Sequence, residues 1–149
     1  MSKLYEVPAD FAAAARIRHD DYVRMYGESL SDPEGFWARM GQRIDWIRPY
    51  TKVKDVSYDA RDFRIRWYHD GQLNVAANCL DRHLAERGDT TAILWAGDAP
   101  TPSLAGTYRE LYHRVCKLAN ALKSLGVQKG DPVTIYLPMI PEAEVAKLA

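Results

Sequence analysis

The sequence predicts an α/β protein whose first part is mostly helical. Residues 1–50 contain short apolar helical patterns joined by connectors, and the chain after Gly88 runs strand, helix, strand, helix start. Alternation of strands with helices is typical of layered α/β folds, in which helices cover the faces of a sheet. The change in character places a boundary near Gly88, which divides the chain into regions 1–88 and 89–149.

Two helices are predicted in residues 19–47. The stretch "HDDYVRMYGESL" repeats apolar residues at helical intervals, and a second helix is predicted from Pro33 to Ile47 with Ser31 or Asp32 as its cap. Pro49 then stops that helix because proline cannot continue it. The predicted apolar faces are Tyr22, Val23, Tyr26 and Leu30 for the first helix, and Phe36, Trp37, Met40, Ile44 and Ile47 for the second.

One strand and one helix are predicted in the remainder of the first region. The segment "YTKVKDVSYDARD" has no clear periodicity and indicates an extended connector, whereas "FRIRWY" alternates apolar and polar residues like a half-buried strand. Asp70-Gly71 supplies a turn, and Asn74 is expected to cap a helix that ends at Gly88. The expected inward residues are Phe63, Ile65 and Trp67 on the strand, and Val75, Cys79, Leu80 and Leu84 on the helix.

The second region carries the clearest helix signal. "TTAILWAGD" indicates a strand, "APTPSLAG" a surface loop, and Thr107 with Glu110 a capping box at the start of a helix that Gly126 ends. "PVTIYL" is almost continuously apolar, which predicts a strand over 133–137 buried on both faces, and Pro141 opens a last helix. The predicted apolar stripe of the long helix is Tyr108, Leu111, Tyr112, Val115, Leu118, Ala119, Leu122 and Leu125.

Charge is balanced along the whole chain, which argues against nucleic acid or an anionic membrane as a partner. Basic and acidic side chains number 20 each, with 12 of each through Asp70. The cluster "RDFRIRWYHD" mixes arginine with aromatic residues, as single-strand binders do, but Asp62 and Asp70 offset part of its charge. No apolar run is long enough to cross a bilayer, and two cysteines make no disulfide framework. A reduced, cytoplasmic protein is therefore expected.

Metal binding is the most specific local hypothesis, and it is weaker than the alternative of core packing. Cys79 and His83 lie four residues apart on one predicted helix, and His113 and Cys116 lie three apart on another. Two such pairs could converge as a zinc site. Helical cysteines, however, are more often small buried hydrophobes, and the spacing lacks the short ligand-bearing loops of structural zinc sites.

Other candidate sites have simpler explanations. The carboxylate pairs Asp20/Asp21 and Glu142/Glu144 fit the enrichment of acids at helix starts. Lys129 lies between two glycines but lacks a phosphate-loop pattern, which favours a helix end followed by a tight turn. Ser103 has no nucleophile-elbow setting, and the tryptophans are spread over several elements. No catalytic, cofactor-binding or metal-ligating residue is predicted.

Six stretches together resemble the N-terminus of AMP-forming acetyl-CoA synthetases, members of the adenylate-forming enzymes. They are "SDPEGFW", "DWIRPYTKVKDVSYD", "IRWYHDGQLNVAANCLDRHLAERGD", "TAILWAGD", "TYRELYHRVCKLANALKSLGVQKGD" and "VTIYLPMIPEA", in order and with consistent spacing. The resemblance implies that residues 1–88 form the accessory region of such enzymes and that residues 89–149 begin their large adenylating domain, which is incomplete here. Proteins of this family are several times longer than this chain.

The resemblance also implies the reaction of the full-length parent. Acetate and ATP would give acetyl-adenylate and pyrophosphate, and CoA would then capture the acetyl group and release AMP, with magnesium at the phosphates. The family's phosphate loop, ribose-binding acid, acetate pocket and C-terminal lysine would all lie beyond Ala149. The chain alone is therefore expected to bind none of these cofactors and to be non-catalytic, with the remainder of the parent chain as its partner.

Departures from the family pattern leave two alternatives open. Ala105-Gly106 weakens a strand start, Ala96 replaces a frequent acid, and Glu144 and Lys147 stand where small apolar residues are usual. Lys147 is interpreted as facing solvent, because an unpaired buried lysine is costly. One alternative is a free-standing interaction module that binds a partner or itself. The other is a parent enzyme that acts on propionate or another short acid.

Overall fold

A computed structural model describes residues 5–98 and 103–149 and divides the chain into two compact units, Met1–Gln72 and Leu73–Ala149. The first unit contains α1 (Ala9–Ala14), α2 (His19–Ser31), α3 (Pro33–Gly41), β1 (Lys54–Ser57) and β2 (Arg64–Trp67). The second contains α4 (Val75–Cys79), a 3₁₀ turn (Asp81–His83), α5 (Leu84–Arg87), β3 (Thr91–Ala96), β4 (Ser103–Thr107), α6 (Tyr108–Ser124) and α7 (Pro141–Leu148). The predicted mixture of helices and strands is confirmed, in the form of two small hairpins rather than one parallel sheet.

Helix α3 begins as predicted and ends early. The Asp32 carboxylate accepts a hydrogen bond from the Gly35 N–H at 3.0 Å, and Pro33 occupies the first turn. The helix stops at Gly41 rather than continuing to Ile47, so that part of the prediction is wrong. Two aromatic side chains take carbonyls that a longer helix would use internally.

These two aromatic side chains come from the segment that follows the helix. The Trp46 indole N–H donates to the Gly41 carbonyl at 2.8 Å, and the Tyr50 hydroxyl donates to the Ala38 carbonyl at 2.7 Å. Gly41 suits this position because a Cβ there would lie 2.6 Å from the Tyr50 hydroxyl oxygen. The chain therefore folds back over the end of the helix instead of extending it.

The predicted apolar face of α2 is not buried within this unit. The helix itself is confirmed, but Tyr22, Val23, Tyr26 and Leu30 are all more than half exposed. The Tyr22 and Tyr26 rings stack on each other with their centroids 6.0 Å apart. Helical spacing thus predicted the element correctly and its packing incorrectly.

Strands β1 and β2 form an antiparallel hairpin. Val56 pairs with Ile65 and Asp55 with Arg66, so the predicted connector contains a strand that sequence reasoning missed. The β2 strand is confirmed, but the expectation of a buried Phe63–Ile65–Trp67 face is wrong, since Phe63 is 66% exposed and Ile65 53%. A two-stranded ribbon has too little surface to bury one face unless another layer covers it.

The predicted turn at Asp70-Gly71 is confirmed and carries a further contact. The Gly71 N–H donates to the Tyr68 carbonyl at 2.9 Å. The Asp70 carboxylate accepts hydrogen bonds from the Thr51 N–H at 2.9 Å, the Thr51 hydroxyl, and the Lys52 N–H at 3.4 Å. The turn is thereby tied to the segment that leads into β1.

We expect Asp70→Asn to lower the stability of the chain at neutral pH. Hydrogen bonds from Thr51, first from its side chain and then from its backbone, lower the pKa of Asp70 from 3.8 to about 2. Because the pKa is depressed in the folded state, this stabilisation is present above pH 3.8 and is lost as the pH falls towards 2. The wild-type and variant midpoints in urea should differ most above pH 5 and converge towards pH 2, by about the linkage expected for one carboxylate. Asp98→Asn, at an exposed position of the second unit, is the matched control, and an equal shift in both variants would contradict this role of Asp70.

The helix predicted between Asn74 and Gly88 is interrupted. Asn74 caps α4 as predicted, since its side-chain oxygen accepts from the Ala77 N–H at 2.9 Å. At Leu80 the backbone leaves helical geometry (φ −123°), and a 3₁₀ turn precedes α5. The break places Leu80 in the core with 1% exposure, whereas Val75 and Cys79, both expected to face inward, are exposed.

Strand β4 replaces part of the predicted loop "APTPSLAG". Residues 99–102 of that loop lie outside the described residues, but residues 103–106 belong to the strand. Gly106 pairs with Ile93 and Ala105 with Leu94 in an antiparallel hairpin with β3. The departure at Ala105-Gly106 therefore does not prevent a strand, because backbone pairing needs no particular side chain.

Helix α6 begins with the predicted capping box. The Thr107 hydroxyl oxygen accepts from the Glu110 N–H at 3.2 Å, and the Glu110 carboxylate accepts from the Thr107 N–H at 2.8 Å. Gly126 follows the helix with a φ of +89°, a conformation that glycine adopts without strain. The predicted stripe is buried or half-buried except Leu125, which is 79% exposed.

Thr107→Ala should destabilise the second unit by about 1 kcal/mol, the usual cost of losing an N-cap side chain. Both reciprocal hydrogen bonds depend on this position, and Thr107→Ser retains the hydroxyl that accepts from the Glu110 N–H. Thermal unfolding followed by circular dichroism at 222 nm would give the two midpoints. The serine variant should stay close to wild type, and a loss as large in serine as in alanine would show that packing of the threonine methyl group matters more than the cap.

The predicted strand over 133–137 is not formed. Residues 131–138 have no regular secondary structure, and Tyr136 is 99% exposed. A strand needs a neighbour for its backbone hydrogen bonds, and no strand of the described chain pairs with this segment. The nearest tie to β3 lies just after it, where the Trp95 indole donates to the Met139 carbonyl at 2.8 Å.

The core of the second unit joins four elements. Leu80 follows α4, Leu111 and Val115 lie on α6, and Val145 lies on α7; all four are buried. The last helix starts at Pro141 as predicted. The strands contribute half-buried residues: Ala92 and Ile93 pack against this cluster, as do Tyr108, Tyr112, Leu118 and Leu148 from the helices.

Candidate functional site

An open, mainly apolar groove lies in the second unit. It has a volume of about 430 Å³ and runs between the β3–β4 hairpin and the first turns of α6 and α7. Apolar side chains form most of its wall, and two charged residues and one histidine lie at its border. The lining residues are Ile93, Leu104, Ala105, Gly106, Glu110, Leu111, His113, Arg114 and Pro141.

Both charged groups of the groove have structural partners. Hydrogen bonds from Thr107, first from its backbone, lower the pKa of Glu110, so this carboxylate is held as an anion by the helix start. The Arg114 guanidinium forms an ion pair with Glu142 and links α6 to α7. Hydrogen bonding to its own backbone N–H and then to Arg114 lowers the pKa of Glu142. Neither carboxylate has the raised pKa expected of a general acid at neutral pH.

The four residues considered for zinc do not gather. Within residues 5–98 and 103–149, no group of three or more His, Cys, Asp or Glu side chains lies close enough to hold a metal ion. Cys79 is exposed, and His83 packs its ring against Tyr108, with 5.5 Å between centroids. On α6, interaction with Cys116 raises the pKa of Tyr112, chiefly by a hydrogen bond. The cysteine one turn along thus neighbours a tyrosine hydroxyl.

The carboxylate pairs lie in first helical turns, as the sequence predicts. Asp20 and Asp21 are in the first turn of α2, and Glu142 and Glu144 are in that of α7. Asp21 accepts from the Arg18 N–H at 3.2 Å, a contact that is the main cause of its lowered pKa. These carboxylates satisfy helix starts and neighbouring cations, and none faces a second carboxylate across the groove.

The last helix and the glycine turn also match their sequence interpretations. Lys147 is exposed and pairs with Glu144 at 2.7 Å. Lys129 lies in a tight turn between α6 and the extended segment, closed by the Gln128 N–H donating to the Asp131 carboxylate at 2.8 Å. Ser103 is exposed in β4, at the end of the register opposite Ala96.

In the first unit, the arginine–aromatic cluster is neutralised locally. The Arg64 guanidinium contacts the Asp55 carboxylate at 2.9 Å and also pairs with Asp62. Arg64 is the main cause of the lowered pKa of Asp55, and Asp62 is the main cause of the raised pKa of Arg64. The Lys54 ammonium lies over the Trp67 ring, 5.7 Å from its centroid. This hairpin therefore spends its charges on itself.

Sequence reasoning missed the residues that tie distant segments together. Asp70 holds residues 51 and 52 across the hairpin, and the side chains of Trp46 and Tyr50 cap α3. An Asp-Gly pair signals a turn, but it does not reveal which backbone its carboxylate will reach. The described side chains thus build supports for the fold, with one apolar groove as the main concave surface of the second unit.

Two family descriptions match the chain in sequence order. "Acetyl-coenzyme A synthetase N-terminus" matches residues 22–79, and "AMP-binding enzyme" matches residues 80–149. The chain belongs to the acetyl-coenzyme A synthetase family. The resemblance noted from six sequence stretches is therefore confirmed across both units.

Relatives named acetyl-coenzyme A synthetase match this family member over nearly its full length. The protein of Novosphingobium aromaticivorans is 60% identical over 147 residues, covering 98% of this chain and 23% of the relative. Those of Shewanella amazonensis and Serratia proteamaculans are 57% and 54% identical, covering 98% and 100% of this chain and 22% and 23% of the relatives. The chain thus spans less than a quarter of the length of these relatives.

A solved structure agrees with the fold. The acetoacetyl-CoA synthetase from Streptomyces lividans superposes with a TM-score of 0.73 and 29% sequence identity. The match covers 94% of this chain and 21% of that enzyme. Among the described residues, no helix combines the length and apolar character needed to cross a membrane.

Proposed function

We propose that this chain is the N-terminal part of an AMP-forming acetate–CoA ligase. The parent would join acetate and ATP to acetyl-adenylate with release of pyrophosphate, and CoA would then take the acetyl group and release AMP. The observation that carries the proposal is the 54–60% identity to acetyl-coenzyme A synthetases along essentially the whole chain. Parent substrates would be acetate, ATP and CoA in the cytoplasm, with no nucleic acid and no membrane involved.

The role of this part would be to support the adenylating domain, with the accessory region ending near residue 88 and the domain beginning at residue 89. Side chains that carry charge are engaged with one another, as Arg114 is with Glu142 and Arg64 is with Asp55. Such contacts position helices and strands, and they leave no charged pair poised for proton transfer. We therefore assign no catalytic, cofactor-binding or metal-ligating residue to this chain.

The residues present do not fit ATP, CoA or magnesium. The groove beside α6 has mainly apolar walls, and its Glu110 and Arg114 are already bound to Thr107 and Glu142. Magnesium prefers oxygen ligands, and phosphates need several converging N–H groups or cations. The ligands for all three would come from the remainder of the parent chain.

We expect the purified 149-residue chain to release no pyrophosphate from ATP in the presence of acetate, CoA and magnesium. A chimaera that joins this chain to the remaining three quarters of the Novosphingobium relative should be active, because the two proteins are 60% identical over the exchanged part. Pyrophosphate release and acetyl-CoA formation would be measured for both, with the intact relative as the positive control. Acetate-dependent turnover by the short chain of confirmed mass would overturn the non-catalytic role.

The same chimaera separates this proposal from the alternative of an interaction module. Exposure of Tyr22, Tyr26 and Leu30 on one helix is the observation that favours self-association or a partner surface. A folded but inactive chimaera would favour that alternative, whereas activity would support the ligase. Comparing acetate with propionate as substrate in the active chimaera would not assign acyl preference to this chain, since the acyl pocket would belong to the relative.

A further inference from the structure

We draw no further inference here: the strongest candidate, the open apolar groove between the β3–β4 hairpin and the first turns of α6 and α7, is an unpartnered face, and nothing in the structure shows what covers it.

Discussion

Leu80→Ala is expected to lower the free energy of unfolding of the second unit by about 2–5 kcal/mol, the usual range for a fully buried leucine. Leu80 is 1% exposed and belongs to the cluster with Leu111, Val115 and Val145. Removing its branched end leaves a cavity among side chains that come from α6 and α7. A domain is stable by only about 5–15 kcal/mol, so the loss would be a large fraction of the total.

A matched control is available on the same unit. Leu125 at the end of α6 is 79% exposed, so Leu125→Ala should change stability by no more than about 0.5 kcal/mol. Hydrogen exchange read by mass spectrometry would assign the loss, with faster exchange expected in peptides of α6 and α7 for Leu80→Ala. Equal effects of the two substitutions would contradict the central position of Leu80.

Helix starts could be predicted from the sequence because their determinants are local. Asp32, Asn74 and Thr107 each lie within three residues of the N–H group that they cap. Pro141 likewise opens α7 through its own fixed backbone angle. The choice between helix and another structure at such positions depends on neighbours in the sequence, which a reader of the sequence can see.

Helix ends and strand pairing depended on distant residues and were predicted less well. Helix α3 stops at Gly41 because Trp46 and Tyr50 return to its carbonyls, and β1 and β4 exist because each has a partner strand. Segment 133–137 has the composition of a strand but no pairing in the described chain. Composition states what a segment can do, and pairing decides what it does.

Burial was harder to predict than secondary structure for the same reason. Periodicity identified one face of α2 and one of β2, and both faces are exposed within this chain. In α6 the same reasoning succeeded, because α7 and the residues around Leu80 cover its stripe. For the candidate site, sequence reasoning could offer simpler explanations for local residue pairs. It could not locate the groove, since two strands and two helices have to meet to form it.

Phe36→Ala is expected to destabilise the first unit by about 3 kcal/mol, the lower end for a buried aromatic side chain. Phe36 is 6% exposed, and its ring meets Trp37 edge-on at 5.1 Å between centroids. The Arg39 guanidinium lies over the same ring, 6.0 Å from its centroid. The substitution removes a large buried apolar surface together with both of these contacts.

Phe63→Ala supplies the matched control, because that phenylalanine is 66% exposed. Tryptophan fluorescence during urea unfolding would follow the first unit mainly, since it contains Trp37, Trp46 and Trp67. We expect the Phe36 variant to unfold at clearly lower urea and the Phe63 variant to stay within about 0.5 kcal/mol of wild type. Phe36→Leu should recover part of the loss because it restores apolar volume. If Phe63→Ala proved the more damaging substitution, the β1–β2 hairpin rather than α3 would hold the buried centre of this unit.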